Sequence, residues 1–295
     1  MRASSTALLM AACVMAAGCS ESYRAERLFW KAQHQHEAVL KNPSAATPEQ
    51  FHAAVQSFSS LIDQAPGSNL AGRAQLMIGT LYTTRKEFDS ARKAYGLVIQ
   101  NYNRYGDLPL RARLSIAKTY EAEGKWHEAV GMYKDVTEYH AWSRLGLETP
   151  LYVAAGYEQR KQPAEATAAY ERAVRLYGKM VPDAPNPDLA MQVKGYLTLA
   201  YQRLGQWDKA IALLEELAAA DKGGVNRPLV LLTLGSIYET KVNNPAKADS
   251  WYARLLEDFP EHPLGKVAQT QREKLGIGGK AAAPSAPAPA PAATP

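Results

Sequence analysis

Tyr201-Gln202-Arg203-Leu204-Gly205-Gln206-Trp207-Asp208-Lys209-Ala210-Ile211 sets a tyrosine nine residues ahead of an alanine, and the pair recurs as Tyr82 with Ala91, Tyr120 with Ala129 and Tyr157 with Ala166. Ala54 and Ala248 extend the series, so that the six alanines fall 37, 38, 37, 44 and 38 residues apart. Around each stands the same apolar frame: Phe51, Val55, Phe58 and Leu61 in the first unit, Phe88, Tyr95, Val98 and Ile99 in the second, Trp126, Val130, Tyr133 and Val136 in the third. Spacings of three, four and seven put these side chains on one helical stripe, so each unit contains a helix with one buried face.

Upstream of each lies a second helix with a small residue three before its tyrosine: Gly79 before Tyr82, Ala117 before Tyr120, Ala154 before Tyr157 and Gly235 before Tyr238. Antiparallel helices approach closely only where side chains are small, and the alanine of one helix with the Gly or Ala of its partner meets that need. Neither helix can bury its face alone, so the units must stack. Helix starts are marked separately. Thr47-Pro48-Glu49-Gln50 reads as an N-cap, first-turn proline and capping box, Asn186-Pro187 and Asn244-Pro245 repeat the cap, and Pro109, Pro150, Pro163 and Pro228 are placed to open other helices. Gly124 and Gly205 fall in the hairpin turns.

Leu234-Gly235-Ser236-Ile237-Tyr238 followed by Ala248, Tyr252, Leu255, Leu256 and Pro260 resembles the tetratricopeptide repeat with one extra turn residue, and the resemblance covers roughly residues 50 to 260. It implies an all-α, right-handed solenoid of five or six helical hairpins. The period exceeds the usual ~34 residues, and Thr198 stands where the fifth unit should have a small residue. Residues 262 to 275 read as a closing helix, with Leu264, Val267, Ala268 and Leu275 on its inner side, and another helix lies between Tyr23 and Leu40. In this family partners lie along the surface made by the first helices. By motif offset that face includes Arg73, Leu76, Thr80 and Thr83, then Arg111, Leu114, Lys118 and Glu121, and further along Gln202 and Arg203. Such a groove suits an extended peptide or a helix of another protein. Tyr82, Tyr120, Trp126, Tyr157, Tyr201, Trp207 and Tyr238 read as core, whereas Trp30, Tyr102, Tyr105, Tyr139 and Trp142 are less committed.

The ends carry their own signals. Met1-Arg2, the apolar run Ala7 to Ala17 and the small residues Ala16-Ala17-Gly18 read as a secretory signal over 1–18, too short for a mature spanning helix. Cleavage before Cys19 resembles a bacterial lipoprotein, in which that cysteine carries diacylglycerol; Ala16 departs from the leucine the family prefers there. An ordinary signal peptidase would instead leave Cys19 a free thiol. The chain has two cysteines, and loss of Cys13 with the signal leaves no intramolecular disulfide. Acyl chains, at about 0.8 kcal/mol per buried methylene, would hold residues 19–275 on a membrane, and Ser20 after the cysteine resembles outer-membrane sorting. Residues 276–295 are almost entirely Gly, Ala and Pro and are expected to be disordered.

The formal charge of +5 becomes about +4 without Arg2, with Lys and Arg scattered rather than clustered, and export conflicts with a nucleic-acid role. The chain contains no GxSxG, HExxH or CxxC, and no cofactor is expected. Gly276-Ile277-Gly278-Gly279-Lys280 lacks the spacing of a phosphate loop. His34 and His36 point about 200° apart on a helix and cannot share a metal; Glu121 and Glu123, by the same geometry, read as a solvated helix end. The expectation is a lipid-anchored envelope scaffold, not an enzyme. It resembles outer-membrane barrel-assembly lipoproteins of the BamD type in its signal, its tandem repeats and Ala65-Pro66-Gly67-Ser68, with a coordinator of cell-wall, pilus or secretion machinery as the alternative and an envelope enzyme on glycan or peptide as a further one. If Ala129 sits at a close helix contact, Ala129→Leu should lower the unfolding free energy by about 1–3 kcal/mol, read from chemical denaturation; an unchanged midpoint would contradict the register.

Overall fold

The computed structural model describes residues 23–220 and 224–276, and among them all regular structure is helical. Helix α1 covers 23–35 and α2 Glu37–Lys41. Then follow α3 Pro48–Gln64, α4 Asn69–Thr84, α5 Phe88–Asn101, α6 Leu108–Ala122, α7 Trp126–Tyr139, α8 Arg144–Gln159 and α9 Pro163–Met180. The remainder are α10 Pro187–Arg203, α11 Trp207–Ala220, α12 Arg227–Thr240, α13 Pro245–Asp258 and α14 Pro263–Lys274. Contacts divide the chain into two compact units, one up to Val153 and one from Ala154. In the first, α3 to α7 pack each on the next and α4 also touches α6; in the second the same holds from α9 to α14, with α12 touching α14. Contact between first helices of successive hairpins is the mark of a stacked repeat. The signal at 1–18, Cys19 and the tail from 277 lie outside the described residues.

One turn explains the nine-residue spacing. At the ends of α4, α6, α8 and α10 the signature tyrosine is the third residue from the helix end, and its carbonyl accepts an N–H from beyond the turn: Glu87 to Tyr82 at 2.9 Å, Lys125 to Tyr120 at 2.9 Å, Gln162 to Tyr157 at 3.0 Å, Gln206 to Tyr201 at 2.9 Å. The residue before each donor bonds the next carbonyl, as in Gly124 to Glu121 at 3.0 Å. This is the Schellman arrangement, which requires one residue with positive φ. Glycine supplies it at Gly124 (φ 77°) and Gly205 (φ 68°), but lysine does so at Lys86 (62°) and Lys161 (57°). The last donor then opens the second helix, and its own carbonyl accepts the alanine N–H, as in Ala91 to Glu87 and Ala210 to Gln206. In the α12–α13 hairpin, Asn244 N–H bonds Tyr238 across one more residue, and Asn243 (φ 55°) takes the left-handed place.

The alanines Ala54, Ala91, Ala129, Ala166, Ala210 and Ala248 are all buried, as are Gly79, Ala117, Ala154 and Gly235. The glycines do not oppose the alanines, however. A Cβ on Gly79 would lie 2.4 Å from the ring of Tyr95, and one on Gly235 2.3 Å from that of Tyr252, each ring four residues after the alanine. Aromatic side chains hold this position as Phe58, Tyr95, Tyr133, Tyr170 and Tyr252, all buried. Four after Ala210 the chain has Leu214 instead, and Thr198, at the small position of that hairpin, is itself buried. The closing helix α14 buries Ala268 but leaves Val267 43% exposed.

The capping box of Thr47 and Gln50 forms, and Asn186 and Asn244 accept the N–H groups of Leu189 and Lys247. Pro150 does not open a helix: it lies inside α8, which starts at Arg144 under a cap in which Gly146 N–H donates to Ser143 Oγ at 3.0 Å. Proline there forfeits one bond to the preceding turn, a loss the flanking turns tolerate. Lysine in a left-handed turn carries about 1 kcal/mol of strain that glycine lacks. Lys161→Gly should therefore raise the unfolding free energy, by up to about 1 kcal/mol, and Gly205→Lys should lower it comparably; equal midpoints for the three proteins in urea would contradict the turn assignment.

Candidate functional site

The face argued for partner binding is built from first-helix residues at fixed offsets from the small residue. Six before it stand Arg73, Arg111 and Glu148; one after it, Thr80, Lys118 and Ala155; four after it, Thr83, Glu121 and Glu158. In the first unit Arg73, Thr80, Arg111 and Lys118 are exposed, and Arg73 lies 5.1 Å over the Phe29 ring. Leu76 is buried and therefore belongs to the core rather than to a binding face. Thr83 and Glu121 are half-buried and engaged internally. The Tyr95 hydroxyl lies 3.2 Å from Thr83 Oγ1, and Glu121 accepts hydroxyls from Tyr133 at 3.0 Å and Tyr152 at 2.9 Å.

The same device recurs in the second unit. Tyr252 donates to Glu239 at 2.7 Å, and Tyr170 faces Glu158, burial first and this carboxylate second pushing the phenol up to about 12. Burial likewise raises the phenols of Tyr133 and Tyr252, so both remain protonated donors at neutral pH. Where Gln202 replaces the acid, Leu214 replaces the tyrosine. Gln202 is half-buried, and exposed Arg203 lies 3.6 Å from Glu158. At the remaining offsets here Leu199 is 48% and Leu229 57% exposed, alternating with the exposed polar residues Gln192 and Ser236; Leu232, three before Gly235, is half-buried. Leu232, but neither Leu199 nor Leu229, lines a cavity of about 550 Å³, walled also by Gln202, Trp207, Ser236, Glu239 and, from α14, Val267. Offsets of the second-unit residues were readable in the sequence, and the pairing of tyrosine with the acid twelve or thirteen residues earlier was the signal that could have found the buried row.

Glu121 and Glu123 are not a solvated helix end. Arg92 of α5 donates to Glu123, stacks 4.4 Å over the Tyr120 ring and, with Lys125 at 3.1 Å, holds the Glu123 carboxyl below the usual carboxylate range. The signature rings also differ from expectation: Trp126 and Tyr238 are buried, but Tyr82, Tyr120, Tyr157, Tyr201 and Trp207 are half-buried. Of the less committed aromatics, Tyr102 is buried, Tyr105 and Trp142 are half-buried, and Trp30 and Tyr139 are exposed. His34 bonds the Trp30 carbonyl at 2.9 Å and His36 the Ser57 hydroxyl at 2.8 Å. No group of three or more His, Cys, Asp or Glu suited to a metal occurs among the described residues.

Tetratricopeptide-repeat family models match residues 112–140 and 198–263. Over these two stretches the chain carries tetratricopeptide repeats. Lipopolysaccharide assembly protein B of Escherichia coli strain K12 is 25% identical over 207 residues, covering 69% of this chain and 50% of the relative, and that of O157:H7 aligns equally. The chain thus spans about half the length of the curated relatives it matches. Among solved structures, YrrB, described as a tetratricopeptide protein with an unusual peptide-binding site, is 16% identical with a TM-score of 0.38, covering 73% of this chain and 99% of its own. BtubC of P. vanneervenii is 15% identical with a TM-score of 0.41, covering 92% and 98%.

In these tetratricopeptide hairpins the hydroxyl-to-carboxylate bonds tie the second helix to the end of the first. Tyr133→Phe and Tyr252→Phe keep the ring and remove only that bond, so each should lower the unfolding free energy by about 1–2 kcal/mol. Leu214→Ile at the equivalent place, where no such bond exists, gives the reference for ring-free packing; losses below about 0.3 kcal/mol for both tyrosines would show the bonds to be idle.

Proposed function

We propose that this protein is a lipid-anchored scaffold of the bacterial envelope, attached through Cys19 and gathering partner proteins on the first-helix face of its repeats. Tetratricopeptide repeats are protein-interaction scaffolds, and the fold offers no enzymatic family to set against that. The observation that carries the envelope reading is the similarity, over 69% of the chain, to an envelope assembly protein, together with the signal and cysteine at the N-terminus. Supporting a binding role, Arg111 and Lys118 in the first unit and Leu199 and Leu229 in the second are exposed on this face. The cationic positions of the first unit suit an acidic protein segment, and the apolar ones of the second suit an apolar segment.

Two assembly processes fit. The resemblance of the signal and of Ala65-Pro66-Gly67-Ser68 favours barrel-protein assembly at the outer membrane; the similarity to a lipopolysaccharide assembly protein favours that process instead. Neither requires catalysis by this chain. Among the described residues no helix is long and apolar enough to cross a membrane.

A photo-crosslinker placed in living cells at Lys118 or Leu199, on the face, and at Lys93 or Lys209, on exposed second-helix positions, separates the surfaces. Envelope-assembly proteins captured from Lys118 and Leu199, and lost when Cys19 becomes Ala, are the expected result. Capture from Lys93 and Lys209 alone would move the binding surface to the second helices. An identical capture pattern in Cys19→Ala would remove the anchor from the account.

A further inference from the structure

Helix α1 buries Ala25, Phe29 and Ala32 on one side, Phe29 meeting Phe58 edge-on at 6.0 Å. Arg24 adds a bond to Gln64 at 2.9 Å. At 100° per residue, Tyr23, Arg27, Trp30 and His34 fall on a single stripe directly opposite. That stripe is outward: Tyr23 is 69% and Trp30 60% exposed, Arg27 and His34 are exposed, and Trp30 stacks on His34 at 4.0 Å. Packing of the repeats demands neither aromatic, and both stand on a helix whose opposite side is already satisfied.

We propose that this stripe binds the interfacial region of an anionic bilayer. Tyrosine and tryptophan favour the headgroup level, where ring and polar edge are both accommodated, and arginine lays its stem on apolar surface while its head meets phosphate. The exposed charge agrees: Arg24, Arg27 and Lys31 outnumber Glu26. Position agrees as well, and here the inference rests on the lipid reading of Cys19. Tyr23 follows Cys19 by four residues, so the chain can extend at most ~14 Å between them. A lipid there would hold the stripe beside the headgroups at high local concentration, where weak contacts suffice. Attachment would then fix which way the repeats face rather than leave them swinging on a flexible tether.

The test uses the full chain isolated from membranes, with the mass of its Cys19 peptide determined, on vesicles of phosphatidylglycerol and phosphatidylethanolamine carrying bromine near the headgroup. The chain has five tryptophans, and the expected result is partial quenching that Trp30→Phe abolishes and Arg27→Glu weakens at least threefold. On neutral phosphatidylcholine vesicles quenching should fall similarly. Quenching unchanged in Trp30→Phe would overturn the proposal. So would a chain that floats with the vesicles while Trp30 stays open to aqueous acrylamide; that outcome keeps the anchor. A Cys19 peptide without acyl chains would remove the anchor reading, and quenching at high vesicle concentration would then decide the stripe by itself. Protection of Trp30 that grows with protein concentration in vesicle-free buffer would assign the stripe to a second copy of the chain and overturn the proposal.

Discussion

The contact of a tyrosine ring with the backbone of a glycine sets the geometry of two of these hairpins, α4–α5 and α12–α13. Tyr95 occupies the space a side chain on Gly79 would need, and Tyr252 does the same at Gly235. The ring thereby fixes how near the helices come and where along their length. Its hydroxyl reaches the residue just after the signature tyrosine, Thr83 in one hairpin and Glu239 in the other. The tyrosine itself gives its carbonyl to the turn. Ring, hydroxyl and turn therefore enforce one register, and a shift of one residue would lose all three.

That arrangement divides the first-helix face between structure and function. Residues four after the small position, Thr83, Glu121 and Glu239 among them, are taken up by tyrosines. Of those six before and one after it, Arg73, Arg111 and Lys118 in one unit and Leu199 and Leu229 in the other are exposed, whereas Glu148 and Ala155 are half-buried. Under the proposed scaffold role, recognition would vary through exposed positions such as Arg111, Lys118, Leu199 and Leu229, while the residues bonded to tyrosines hold the hairpins.

The alanine period was legible because burial at a close contact tolerates one residue type, and the caps at Thr47, Asn186 and Asn244 because each satisfies free N–H groups by a local rule. Pro150 misled because the rule that proline opens helices is a preference, and the Ser143 hydroxyl had already capped α8. Glu121 and Glu123 misled for another reason. Their helix offsets say which way they leave the backbone, but Tyr133, Tyr152 and Arg92 reach them from other helices, and only tertiary structure brings those together. Lysine at Lys86 and Lys161 hid two turns that glycine marks openly elsewhere.

The most direct test of the ring-and-glycine constraint is a double-mutant cycle on Gly79→Ala and Tyr95→Leu, with unfolding free energies from urea titration. Helix propensity alone would make Gly79→Ala stabilising by about 1 kcal/mol. The account predicts the opposite sign, a loss of about 1–3 kcal/mol with Tyr95 present, reverting to a gain once Tyr95 is Leu. A Gly79→Ala protein more stable than wild type would contradict it.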